Sequence, residues 1–311
     1  MSVVVLTHNR IDDLRRALRR AHALRTRPRI LVVDNGSRDG TPDVIAREFA
    51  ETTVIRAPGN LGAAGRNLGI REAETPYVAL ADDDTWWTDD GLRRAAELLD
   101  AHPRVGIVSG RVLVGEDARV DPVCLEMAAS PLPPDPTLLA PRLVGFLAGA
   151  AMVRRDAVLS VGGFEPRLFL GSEEPLLAAD LAAAGWATIY ADDAVVHHEP
   201  SRLRDPSRRR RLIMRNQLWF VWRRRPLPVA AARTFVLARR AVSDSEARAA
   251  LLAALQGLPW ALATRRRLPP TVEADWRALE ARAPRQRSRQ YVSGSKTSAN
   301  PVGLRADNPR S

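Results

Sequence analysis

Along the first eighty residues, apolar positions fall into two alternating kinds of segment. Val3–Leu6, Ile30–Val33, Thr53–Arg56 and Tyr77–Ala81 are short runs dominated by apolar, often β-branched residues and bounded by polar clusters, which predicts strands. Between the first two lies Asp12–Ala23, where Leu14, Ala17, Leu18 and Ala21 recur at helical spacing. A second helix is predicted over Asp43–Phe49, introduced by Thr41-Pro42 with proline at its first position, and a third opens within "NLGAAGRNLGIREA". The βαβαβαβ rhythm predicts a doubly wound, mainly parallel α/β sheet. Ligands of such sheets bind at the carboxyl ends of the strands. The polar clusters "THNR", "DNGSRDG" and "ADDDT" all fall at such ends and are therefore expected to converge on one crevice.

Beyond residue 105 the pattern is less regular. Val105–Val114 reads as a strand, 128–142 as a proline-rich loop, and Gly145–Val153 as an apolar segment with small residues. After Pro200 the chain turns arginine-rich and helical. From Pro284 it is polar without apolar periodicity, which predicts disorder. The expected organisation is a catalytic domain at 1–205, a basic helical appendage at 206–283 and a disordered tail at 284–311.

The net charge of +11 changes meaning once it is divided along the chain. Residues 1–201 hold 22 arginines against 29 acids, whereas residues 202–283 hold 19 arginines against 6 acids. The basic character thus belongs to the appendage and the front of the chain is mildly acidic. A single cysteine, Cys124, excludes a disulfide framework and a thiolate zinc site. No apolar run is long enough for a transmembrane helix, and "MSVVVLTHNR" lacks the build of a secretory signal. The expected location is cytoplasmic, with the inner face of the plasma membrane as a possible station of a basic appendage.

Asp82, Asp83 and Asp84 sit together at the end of a strand-like run, where like charges repel unless a cation is met. Oxygen ligands in such a place suit Mg²⁺ or Mn²⁺ carrying a substrate diphosphate. An isolated run of three aspartates is ordinarily an acidic turn, but this one ends a strand in a series whose other strands also end in polar loops.

Six segments, in order over roughly residues 2–200, carry a resemblance. They are "VVVLTHNR", "ILVVDNGSRDGT", "NLGAAGRNLGI", "ALADDDT", "VGGFEPRLFLGSEEPLLAADLAAAGW" and "AVVHHEPS". Together they resemble the inverting nucleotide-sugar glycosyltransferases of family two, which have the GT-A fold. The resemblance implies that Asp34 hydrogen-bonds the nucleobase with Thr7 and Asn9 nearby, and that Arg66 and Asn67 lie along the nucleotide. It implies that Asp82 and Asp84 form the metal-binding pair, Asp84 ligating the ion and Asp82 facing the ribose or also ligating, with Asp83 between them at the nucleotide and His197, in preference to His198, completing the metal shell. Glu174 falls on the family's catalytic aspartate, one methylene longer, and Glu173 competes with it. The implied activity is a hexosyl- or deoxyhexosyl-transferase using Mn²⁺ or Mg²⁺, a nucleotide-diphosphate sugar as donor and a glycan or lipid-linked acceptor. Nucleic acid is not an expected partner.

Read from its residues alone, Asp34 in "DNGS" is also good turn chemistry, and acids at the start of a helix suit its dipole. Trp86 and Trp87 fit either a sugar-stacking wall or the core. "RRRRLIMRNQLWFVWRRRPLP" fits a helix on an anionic membrane, with Arg208–Arg211 and Arg223–Arg225 as the attracting clusters and Trp219 and Trp222 at headgroup level. It equally fits helices packed on the catalytic domain. A nucleotidyltransferase, or a non-catalytic membrane- or RNA-binding protein on a degenerate transferase fold, are the competing functions. The first is disfavoured because "LTHNRIDD" lacks a glycine-rich phosphate loop.

Overall fold

The periods of the first eighty residues resolve into one sheet in the computed structural model, which describes residues 1–138, 140–201 and 206–282. In chain order, β1 (Ser2–Thr7), α1 (Ile11–His22), β2 (Arg29–Asp34), α2 (Thr41–Glu48), β3 (Thr53–Arg56), α3 (Arg66–Glu72) and β4 (Tyr77–Asp82) follow the predicted rhythm. Then come β5 (Thr85–Trp87), α4 (Asp89–Ala101), β6 (Val105–Val114), β7 (Arg119–Val120), α5 (Pro122–Ala128), β8 (Ala151–Arg154), α6 (Arg155–Ser160), α7 (Glu173–Ala183) and β9 (Ala187–His198). The strand order is β3-β2-β1-β4-β8-β6-β9-β5, with β7 beside β6. The first four strands are parallel, as expected, but β8 runs antiparallel to both β4 and β6, and β5 antiparallel to β9. The sheet is therefore mixed in its second half.

Alternation along the central strands divides the core in two. Val3, Val5, Val32, Ala79 and Ala81 pack with α1 and α4 on one face, while Val4, Leu31, Val33, Val78 and Leu80 pack with α3, α6 and α7 on the other. Register then aligns the strand ends: Thr7 lies beside Asp34, and Leu6 beside Asp82. The polar loops consequently emerge at one edge of the sheet.

After this sheet come α8 (Pro206–Arg224), α9 (Leu227–Ala241), α10 (Ser245–Gln256), α11 (Leu258–Ala263) and α12 (Pro270–Arg282). Their apolar side chains form a third core that takes in Leu168, Leu176 and Ala179. Helix α7 is the joint, because Leu177, Ala178 and Leu181 on its other side belong to the sheet's core. The expected disordered tail, 284–311, lies outside the described residues.

The second arginine cluster does not face an anionic surface. Arg223, Arg224 and Arg225 are all buried. Arg223 meets Glu165 at 3.0 Å, Arg224 pairs with Asp180, and Arg225 reaches Glu273 at 2.7 Å and Glu280 at 3.0 Å. The forked, weakly hydrated guanidinium suits such buried pairing. Trp219 and Trp222 are buried too, their indole N–H groups donating to the Ala254 carbonyl and Thr234 Oγ1. These residues hold helices together instead of sitting at a headgroup layer. No helix among the described residues is long and apolar enough to cross a membrane.

Candidate active site

The polar loops line one cavity of about 390 Å³ with Thr7, Arg10, Arg66, Asp82, Asp83 and Asp84. Glu173, Glu174 and His198 line it as well. The acidic cluster comes with its own cations. Asp82 pairs with buried Arg66. Asp83 accepts Thr7 Oγ1 at 3.0 Å and Arg10 Nη1 at 3.1 Å, and Arg10 also lies 3.6 Å from Asp84. Burial pushes the Asp83 carboxyl up to about 7, with Asp84 and Asp82 adding to the rise and Arg10 opposing it.

Strand β5 turns back immediately after the cluster and pairs with the end of β9, with Thr85 beside His198 and Trp86 beside His197. Side chains alternate along a strand. His198 Nε2 therefore comes within 3.7 Å of Asp84 Oδ1, while His197 turns away and stacks on Trp86 with ring centroids 5.8 Å apart. On this geometry His198, and not the preferred His197, is the histidine that faces the acidic cluster. Cis ligands of an octahedral ion bonded at about 2.1 Å stand about 3.0 Å apart. Asp84 and His198, 3.7 Å apart, are close enough to share one ion after a small side-chain adjustment. Among the described residues no group of three His, Cys, Asp or Glu side chains is arranged to hold a metal. A two-residue donor set is what Mg²⁺ or Mn²⁺ uses when a diphosphate supplies further oxygens.

The small-residue segment approaches from the far side of the cluster. Ala148, Gly149 and Ala150 line the cavity, and a Cβ built on Gly149 would stand 2.8 Å from Asp82 Oδ2. Gly145–Val153 was legible in the sequence only as apolar and small, and the close approach of Gly149 to Asp82 explains that glycine. Arg10, closing "THNR", is a site residue that the sequence reading did not single out. Its signal was its place in a strand-end loop.

Glu173 and Glu174 occupy the first turn of α7. The loop before it is held in an uncommon conformation, with positive φ at Phe169, Gly171 and Ser172. Asn216 of α8, fully buried, donates its amide to the carbonyls of Leu168, Leu170 and Gly171 at 2.8, 3.0 and 2.6 Å. Glu173 is buried, and its Oε2 has no hydrogen-bond partner among the described residues. Burial, reinforced by Glu174, pushes its carboxyl up to about 8, while Arg66 draws it back. The Glu174 carboxyl is also raised, chiefly by burial, against the pull of Arg66 and Arg209.

Other expected site residues lie elsewhere. Asn67 spends its amide on Phe164, donating to the carbonyl at 2.7 Å and accepting the N–H at 2.8 Å, so it does not lie along the cavity. Asp34 and Asn9 flank the cavity without lining it. Asp34 Oδ1 accepts the Ser37 N–H at 3.1 Å in a side-chain turn, and Asn9 Oδ1 accepts the Arg38 N–H at 2.7 Å. Trp87 is buried and donates to the Leu80 carbonyl, and Trp86 is taken up by His197. Neither tryptophan lines the cavity.

Comparison with known proteins bears on the family and the fold. The family model described as glycosyl transferase family 2 matches residues 2–162. An N-acetylglucosaminyl-diphospho-decaprenol L-rhamnosyltransferase of Mycobacterium tuberculosis is 29% identical over 243 residues, covering 67% of this chain and 79% of that protein. Among solved structures, the mannosyltransferase PcManGT from Pyrobaculum calidifontis in complex with GDP-Man and Mn²⁺ superposes with a TM-score of 0.56. The identity is 22%, over 90% of this chain and 74% of that one. TarS from S. aureus in complex with UDP-GlcNAc gives a TM-score of 0.51 at 18% identity, over 71% and 66% of the two chains. Both likenesses concern the GT-A fold.

Proposed function

The chain belongs to glycosyl transferase family 2, and from that premise we propose a metal-dependent, inverting transfer of a sugar from a nucleotide-diphosphate sugar to an acceptor hydroxyl. The observation that carries this reading is the meeting in one cavity of Asp82–Asp84 and His198 with Glu173 and Glu174. One set suits a diphosphate with its cation and the other suits a proton.

In the proposed reaction Glu174 accepts the proton of the acceptor hydroxyl as that oxygen bonds to the anomeric carbon. The bond from this carbon to the diphosphate breaks on the opposite face, and the nucleoside diphosphate leaves with the bonding electrons. A single displacement of this kind inverts the configuration. Asp84 and His198 would hold the Mg²⁺ or Mn²⁺, which when bound supplies positive charge toward the diphosphate oxygens. Arg66, between Asp82 and the two glutamates, opposes the burial that pushes both glutamate carboxyls up. Asp34 stays the proposed partner of the nucleobase beside Asn9. The relative's name, an L-rhamnosyltransferase acting on a diphospho-decaprenol, supports a deoxyhexose donor and a lipid-linked acceptor as the first pair to try.

Calorimetric titration of UDP, GDP and dTDP, with Mn²⁺ or with EDTA, tests the donor half. Binding is expected only with the metal, and equal affinity under both conditions overturns the assignment. For the chemical half, Glu174→Gln should lower transfer by about 10²-fold or more while leaving nucleotide binding nearly intact, as for a lost general base. A larger loss from Glu173→Gln would move the base to that residue.

A further inference from the structure

Among the described residues, seven of the eight large apolar side chains that stand exposed fall between residues 227 and 262. Helix α9 concentrates them. It buries Ala230, Leu237 and Ala241 against its neighbours, so at 100° per residue its outer arc is Pro228, Ala231, Ala232, Phe235, Val236 and Arg239, continued by Val242 just past its end. On a helix facing water this arc is polar. Here Phe235 is 64% exposed, Val236 62% and Val242 79%, and the one polar member, Arg239, lies with its guanidinium 6.0 Å from the Phe235 ring. Leu252 and Leu255 stand exposed on α10, which packs against α9. Isolated apolar side chains on a surface need no explanation, but a grouping of this kind marks an interaction site.

We propose that the outer face of α9, with the exposed leucines of α10, docks on a bilayer containing anionic phospholipid. The charge pattern selects this occupant. Of the three arginines of helix α9, Arg233 pairs with Glu280 and Arg240 with Asp244, while Arg239, on the outer face, makes no ion pair among the described residues. The exposed arginines of the helical end, Arg211, Arg239, Arg266 and Arg267 among them, are drawn to an anionic surface, whereas the mildly acidic front is not, which orients the molecule. A second copy fits less well, because a two-fold interface sets a patch against itself and would bring like charges together. Phe235, Val236 and Val242 are placed to enter the headgroup boundary as the apolar face of a helix lying in its plane. This contact is independent of the donor chemistry and involves none of the cavity residues.

The full chain is tested by co-sedimentation with vesicles of phosphatidylcholine alone or mixed with phosphatidylglycerol, at low and high salt. Binding is expected only with phosphatidylglycerol and should weaken as salt rises. Phe235→Asp and Val242→Asp should each reduce partitioning about tenfold or more, from the apolar burial lost. Leu125→Asp, on an exposed leucine of α5, should leave it unchanged. Unaltered thermal midpoints show that the variants fold. Val242→Cys carrying an environment-sensitive dye provides an independent reading, since Cys124 is buried, and its emission should shift to the blue with anionic vesicles. The proposal is overturned by failure to sediment at low salt, by the absence of a dye shift, or by binding that Phe235→Asp leaves intact, which would assign it to other basic segments. Self-association abolished by Phe235→Asp without vesicle binding would assign the face to a second copy and overturn it equally.

Discussion

At residue scale, the acidic cluster divides its labour by what each carboxylate meets. Asp82 is taken by Arg66 and Asp83 by Thr7 and Arg10, which leaves Asp84 facing His198 at the cavity. His198→Ala should therefore weaken Mn²⁺-dependent nucleotide binding by about tenfold or more, about 1.4 kcal/mol, whereas His197→Ala should change it little. Calorimetry on the two variants separates them, and the reverse order would restore His197. Glu173 makes a second, independent prediction. Its carboxyl rises from an ordinary 4.5 to about 8 in the folded chain, so the folded state holds a proton that the unfolded state releases between these values. Stability then falls as pH rises through that window. Glu173→Gln abolishes this titration. Relative to wild type, the variant should gain stability from pH 5 to 8 and level off above, as read from urea midpoints along the pH series. The aspartates, the glutamate pair and the histidine pair were all legible as residues. What the sequence withheld was parity: a one-residue shift turns a strand side chain to the other face, so only the pairing of β5 with β9 decides between His197 and His198.

At the scale of elements, the early strands and helices were legible because the whole signal is local: apolar runs bounded by turn residues, with β1 to β4 within two residues of their predicted ends. The three-residue β5 and the antiparallel β8 carry no such signal, since partners far along the chain define them. The loop preceding α7 is likewise defined from outside. Three of its carbonyls converge on the Asn216 amide, and its backbone holds positive φ at the non-glycine residues Phe169 and Ser172, a conformation that persists only where surroundings enforce it. Asn216→Leu keeps the size of the side chain and removes every donor. The turn carrying Glu173 and Glu174 should relax, lowering the turnover number for transfer by about ten- to hundredfold. Nucleotide affinity should stay within about twofold, because the acidic cluster hangs from other strands. A matched loss of nucleotide affinity in calorimetry would show a general structural failure instead of a displaced turn.

For the whole molecule, the division between a catalytic domain and a basic appendage is a division of composition, and the packing runs across it. Helix α7 gives one side to the sheet's core and the other to the helical core, with the catalytic glutamates proposed here at its start. Arg223 and Arg224 of α8 satisfy Glu165 and Asp180 on the catalytic side. Within the appendage, buried Arg225 binds Glu273 and Glu280 of α12. Arg225→Ala should cost up to roughly 3–5 kcal/mol, because it leaves the buried Glu273 carboxylate with only the exposed Arg277 at 3.1 Å. The same reasoning predicts the fate of a chain cut at residue 205. It would expose Leu168, Leu176 and Ala179, leave Glu165 and Asp180 unpaired, and lose the Asn216 clamp on the loop before α7. We expect residues 1–205 to aggregate or to bind a hydrophobic dye, and to show no metal-dependent nucleotide binding even where they stay in solution. Size-exclusion chromatography followed by nucleotide titration measures both. A monodisperse fragment that binds nucleotide like the full chain would establish 206–282 as a separable domain. Its failure would mean that the helices complete the cavity edge, which Arg208, Arg209 and Leu212 line and from which Arg209 acts on the glutamates.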